Sequence, residues 1–178
     1  MHPFLERIDL TTNRFILEFG SLDTGELNWK PDENTWSIAQ NIDHVILLNE
    51  SYFKKIEEAS SDTARRPFLA RFDLITDLMA KGLAAYSKPD RKKKTHTFDI
   101  WKPGSQQFEP SILETFAEHQ ERFKEVIRQS RPLMESGKVV RSPASGVLFF
   151  KPASIFDIMI SHEERHLKQA KKVKASEW

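Results

Sequence analysis

Near the end of the chain, two histidines lie on the face of a helix that has to be buried. Ile155, Met159, His162, His166, Gln169, Ala170 and Val173 recur at spacings of three and four, the pattern of an amphipathic helix. At about 100° per residue, His162 and His166 fall near the centre of that mostly apolar stripe. Side chains at i and i+4 project from the same side of a helix, so both imidazoles can reach one metal ion. The pair read alone also fits two ordinary core or surface histidines. If that stripe packs into a core, the fold either carries polar groups inside it or holds an ion there.

The same segment, Ser161-His162-Glu163-Glu164-Arg165-His166, also spells H-E-x-x-H, the zinc metalloprotease signature. In such enzymes the histidines bind zinc and the intervening glutamate, here Glu163, activates water. A further ligand is expected downstream, and of the twelve residues after His166 only Glu177 offers one. The segment before the motif also shows no convincing edge strand for a peptide substrate. The protease reading is therefore not favoured, and a third ligand is sought upstream.

His44 is the best candidate. It follows a strong helix start, in which Ser37 and Gln40 fit a capping box, each side chain satisfying a free backbone N–H of the first turn. Ile38, Ile42, Val45, Asn49, Phe53 and Ile56 continue as a helical stripe, with His44 on its shoulder beside Leu48 and Tyr52. That placement suits a group pointing into a cleft between helices. It also suits a half-exposed, inert histidine.

Trp36-Ser37-Ile38 with His44 eight residues after the tryptophan, together with His162-x-x-Arg165-His166-x-x-Gln169, resembles the DinB/YfiT-like superfamily. Phe108-x-Pro110 before a helix and Gly146-Val147-Leu148 before the last one fit the same pattern more weakly. The resemblance runs from the first helix through the last. It implies an all-α, four-helix bundle of bacterial type with three histidines around a divalent metal, here His44, His162 and His166. Family activities include thiol S-transfer with bacillithiol and mycothiol-dependent isomerisation, and many members have no assigned reaction. The resemblance thus implies a metal-dependent enzyme transferring a low-molecular-weight thiol to a small electrophile. A metal-dependent hydrolase and a non-catalytic, stress-associated metal-binding bundle are the alternatives.

Composition agrees with one soluble domain spanning residues 1–178. Of its residues 39% are hydrophobic and 30% charged, and the net charge of +1 leaves no electrostatic footprint for nucleic acid. No apolar run approaches the ~20 residues of a membrane span, and the first residues lack a signal-like apolar stretch. The expected location is the cytoplasm. The expected partners are a small-molecule substrate and no membrane or nucleic acid, with a homodimer as the assembly considered. The chain has no cysteine, which removes disulfides, cysteine-ligated zinc and a protein thiol nucleophile. Sulfur chemistry here needs an external small thiol as cosubstrate.

The coarse organisation is four main helices with long irregular connections. The first is expected from about Pro3 to Phe19, with Phe4, Ile8, Phe15 and Phe19 among its buried positions; the second carries His44 to about Ala59. Residues 20–34 read as a loop. Asp62–Pro67 breaks the pattern, Phe72–Tyr86 reads as a shorter helix, and Arg91-Lys92-Lys93-Lys94 as a solvated run. The third main helix opens at Pro110 with a capping box of Ser111 and Glu114 and continues to about Gln129. His119 on its stripe is expected as a hydrogen-bonded core histidine, with a substitute ligand or a substrate contact as the other readings. Pro132–Pro152 reads as irregular, and Ser154 with Asp157 as a cap for the last helix.

Three neutral imidazoles leave a divalent ion at least one open position, as in catalytic zinc sites. Bound water there leads to hydrolysis and bound thiol to transfer. Nitrogen ligands alone do not separate Zn2+ from Ni2+. Glu163 lies nearer the ligand face than Glu164 and is the candidate for supporting a ligand or moving a proton. Arg165 reads as a structural ion-pairing residue. Gln169, one turn beyond His166, is placed to orient an imidazole or a substrate.

Overall fold

The computed structural model describes residues 2–61, 78, 80–83 and 97–177. Its long helices are α1 (His2–Phe19), α3 (Ile38–Ser61), α4 (Ile112–Gln129) and α6 (Pro152–Glu177), matching the four expected ones. Short helices α2 (Thr24–Asn28) and α5 (Arg131–Glu135), a 3-10 turn (Asp99–Trp101) and a hairpin of β1 (Val140–Ser142) and β2 (Ser145–Phe150) fill the connections. Residues 78 and 80–83 are helical; the rest of the helix expected over Phe72–Tyr86, the break at Asp62–Pro67 and the basic run Arg91–Lys94 lie outside the described residues.

Each long helix packs on two others: α1 on α4 and α6, and α3 on α4 and α6. Their directions follow from paired residues. Arg7 bonds Asp157 and Glu18 bonds Lys171, so α1 runs parallel to α6. Lys124 bonds Asp9 while Phe116 packs on Phe15, so α4 runs antiparallel to α1. Asn41 meets His166 and Asn49 meets Glu163, which makes α3 antiparallel to α6. It follows that α3 and α4 run the same way. Only their connection has to cross back along the bundle, and it is the long one, residues 62–111.

Two helix starts show how local chemistry sets these boundaries. At α3 the expected capping box forms: Gln40 N–H donates to Ser37 Oγ at 3.1 Å and Ser37 N–H to Gln40 Oε1 at 3.2 Å. At α4 the box expected of Ser111 and Glu114 does not form, because Ser111 is itself helical (φ −58°, ψ −11°) and makes no side-chain cap. The chain winds one turn earlier, and the carbonyls of Glu109 and Pro110 take the N–H groups of Ile112 and Leu113. Likewise α6 begins at Pro152, which places Ser154 inside the helix, and Asp157 pairs with Arg7 instead of capping. A capping box the sequence reading passes over, Asp23 with Glu26, opens α2 inside the expected loop.

The Pro132–Pro152 segment is also more regular than expected. It contains α5 and the antiparallel hairpin, with Val140 opposite Phe150 and Arg141 opposite Phe149. β1 has only three residues, and the six of β2 do not alternate between buried and exposed, so neither carries the period-two strand signal. Gly137, at φ +68°, makes the left-handed turn that ends α5 and leads into β1.

The apolar interior divides into two clusters along the bundle axis. One gathers Ile8, Tyr52, Phe53, Phe123, Ile127, Phe156 and Met159; the other gathers Phe15, Phe19, Ile42, Val45, Phe116, Leu167 and Val173. Between them every long helix contributes buried polar residues: Thr11 from α1, His44 and Asn49 from α3, His119 and Gln120 from α4, Glu163 and His166 from α6. The candidate site lies in this polar layer. Among the described residues no helix is long and apolar enough to cross a membrane.

Candidate metal centre

His44, His162 and His166 come together where α3 faces α6. Each offers a nitrogen, and the three nitrogens lie within 4.8 Å of one another. His162 Nε2 is 3.5 Å from His44 Nε2 and 3.2 Å from His166 Nε2. Histidines bound to one tetrahedral ion at ~2.0–2.1 Å would have nitrogens roughly 3.3–3.4 Å apart, so both separations suit a shared divalent cation.

The opposite ring nitrogens explain why Nε2 faces inward. His44 donates Nδ1–H to the Trp101 carbonyl at 2.6 Å, and His166 donates Nδ1–H to Asn41 Oδ1 at 2.8 Å. A carbonyl oxygen only accepts, so in the neutral rings the lone pair is left on Nε2. Asn41 is itself held, its Nδ2 donating to the Ser37 carbonyl at 2.8 Å. His162 Nδ1 is buried with no protein partner. The Trp36 ring covers two of the imidazoles, with centroids 4.7 Å from His44 and 5.9 Å from His166.

Burial is the main electrostatic influence. It pushes the His44 pKa down to about 4 against a pull upward from the Trp101 carbonyl, and the charge of Arg165 lowers it further. His162 and His166 are depressed well below the usual 6.5 for the same first reason, with neighbouring imidazoles and Arg165 adding. The site thus holds neutral imidazoles, the form that ligates metal. Arg165 is buried beside the cluster, and Gln169 is half-buried one turn past His166.

Glu163 sits in the same layer but bonds to residues outside the histidine group. Its Oε1 accepts from Asn49 Nδ2 at 2.6 Å and Gln120 Nε2 at 3.0 Å, tying α6 to α3 and α4. Full burial raises its pKa to about 7, with the two amide bonds pulling the other way. His119 is the buried, hydrogen-bonded histidine expected, stacked on Phe53 at 5.2 Å and bonded to Gln120 Nε2 at 3.3 Å. It does not join the three-histidine group. Glu164 lies on the outer side, accepting from Arg7 Nε at 3.1 Å.

Sequence reasoning alone did not find Asn41, the Trp101 carbonyl, Asn49 or Gln120. Two signals were available on the His44 helix: Asn49 is a polar residue on its apolar stripe, and Asn41 lies three residues before His44.

A fold and a three-histidine centre of this kind invite comparison with known families. The family model described as the DinB superfamily matches residues 7–170, nearly the whole chain. The chain belongs to the DinB superfamily. Neither the curated proteins nor the solved structures give a match to it. The histidines that the family resemblance singles out, from opposite ends of the DinB domain, are those the fold brings together.

Proposed function

We propose that this DinB-superfamily protein is a metal-dependent enzyme that transfers a low-molecular-weight thiol to a small electrophile, with Zn2+ or Ni2+ held by His44, His162 and His166. The observation that supports it most is the convergence of three Nε2 atoms, two of them oriented by hydrogen bonds behind the ring. When bound, a divalent ion supplies Lewis acidity and an open coordination position at which an external thiol gives up its proton. The thiol must come from outside because the chain contains no cysteine.

The protein's own groups hold and exclude. Asn41 and the Trp101 carbonyl set the ligand tautomers, and Trp36 shields the imidazoles from water on one side. Glu163 supports the centre by locking the ligand-bearing turn of α6 to Asn49 and Gln120. That position argues against the water-activating glutamate of an H-E-x-x-H protease.

The test is turnover of thiol–electrophile pairs and of a peptide library by metal-loaded and metal-stripped protein. Conjugation is expected only with metal, lost in His162→Ala and slowed less in Glu163→Gln, with no peptide cleavage. Peptide cleavage abolished by Glu163→Gln would replace this reading with a protease. Full metal loading without turnover of any pair would leave a non-catalytic metal-binding bundle.

A further inference from the structure

The long connection between α3 and α4 returns to the metal centre over residues 98–104 and is fastened to α3 at four points. Trp101 donates its indole N–H to Ser51 Oγ at 2.8 Å, and Gly104 donates its backbone N–H to Asp43 Oδ2 at 2.8 Å. Gln40 Nε2 donates to the Gly104 carbonyl at 3.0 Å. The fourth bond is the one His44 Nδ1 makes to the Trp101 carbonyl. Ser51 uses its own hydroxyl proton on the Leu48 carbonyl at 2.6 Å, so its oxygen is held ready to accept the indole. Trp101 is buried and stacks on Tyr52 with ring centroids 6.1 Å apart.

These bonds divide by task. Three of them hold the segment against α3, and the fourth keeps the His44 proton on Nδ1, away from the nitrogen that faces His162. If the segment lifts, His44 loses the acceptor behind its ring, and both its tautomer and its orientation become free. Outer partners of this kind typically change metal affinity by about 10–100-fold when removed.

We infer that Asp43 and Ser51 are positioning residues for the ligand His44, acting through the Trp101 carbonyl, so that docking of the 98–104 segment and metal binding strengthen each other. The inference rests on the metal-binding reading above. Linkage makes the effect reciprocal: the factor by which docking tightens metal binding is the factor by which metal favours docking.

The experiment measures Zn2+ affinity by chelator competition, with amide hydrogen exchange across residues 98–104, in the full chain. Asp43→Ala and Ser51→Ala are each expected to weaken Zn2+ binding by roughly 10-fold, and the double variant by up to about 100-fold. Asp43→Asn keeps an oxygen to accept the Gly104 N–H and is expected to stay within about 3-fold of the wild type, well short of the alanine effect. Zn2+ is expected to slow exchange at Trp101, Lys102 and Gly104 in the wild type and to do so less in the alanine variants. Equal Zn2+ affinity in wild type and both alanine variants would overturn the positioning role while leaving the metal site standing. Loss in Asp43→Asn as large as in Asp43→Ala would assign the effect to charge and overturn the latch. A wild type that binds no Zn2+ would remove the metal site and this inference together.

Discussion

His44 and His119 are both buried imidazoles from neighbouring helices, yet they answer to different surroundings. His44 faces two other histidines and has a carbonyl behind it. His119 faces Phe53, Gln120 and, at 3.7 Å, the carboxylate of Glu50, with Arg122 close by. Burial first, and the Arg122 charge second, push the His119 pKa down to about 4. In the unfolded chain an imidazole titrates near ~6.5. Between those values the unfolded chain binds the extra proton and the folded protein does not, so stability is full above about pH 6.5 and declines towards pH 4. His119→Gln cannot take up that proton in either state. In metal-free protein its loss of stability from pH 7 to pH 4.5 is expected to be smaller than the wild type's by on the order of 2 kcal/mol. Urea denaturation at the two pH values measures this, and parallel losses would mean that His119 is protonated while folded. His44, His162 and His166 shift the same way, so metal should be retained below pH 6, where free imidazoles would already be competing with protons.

At the scale of the element, the two serine starts make opposite predictions from similar sequence. Ser37 bonds the Gln40 N–H, and its carbonyl also holds the Asn41 amide that orients His166. Ser37→Ala is expected to cost about 1 kcal/mol, the usual loss of an N-cap. Ser111 caps nothing, and Ser111→Ala should change stability by no more than a few tenths of that. Denaturation midpoints of the two variants decide the matter; equal losses would contradict the α4 geometry. The difference shows what the sequence makes legible. Helical stripes and the Ser37 box are local patterns, and the four long helices follow from them. Whether Ser111 caps depends on Glu109 and Pro110 starting the turn early, which is a property of the incoming chain and not of the Ser-x-x-Glu spacing. The site divides in the same way. The His162–His166 pair is visible because i and i+4 share a helix face, and His44 because a helix start places it. The Trp101 carbonyl is invisible, since a backbone oxygen carries no residue identity and comes from 57 positions away.

Across the whole molecule, the polar layer interrupts what would otherwise be one continuous apolar core. Asn49 Oδ1, Gln120 Oε1, Glu163 Oε2 and His162 Nδ1 are buried there without protein partners. Two apolar clusters, one on each side, hold the bundle together around it. The α1–α6 seam adds the Arg7 contacts to Asp157, Ser161 and Glu164 on the outer side of the ligand helix. An ion shared by His44 on α3 and by His162 and His166 on α6 would cross-link two helices that meet through this polar layer. A ligand that binds only the folded state adds about 2.7 kcal/mol at a free concentration 100 times its Kd. For a domain of this size each kcal/mol raises Tm by ~2–4 °C. Zn2+ at that excess is therefore expected to raise Tm by roughly 5–10 °C, reversibly with chelator. His162→Ala should abolish the increase, while His119→Gln should keep it, because His119 lies outside the three-histidine group. Thermal unfolding of the three proteins with and without Zn2+ provides the measurement. An increase that survives in His162→Ala would place the ion elsewhere in the bundle and separate metal binding from the α3–α6 cross-link.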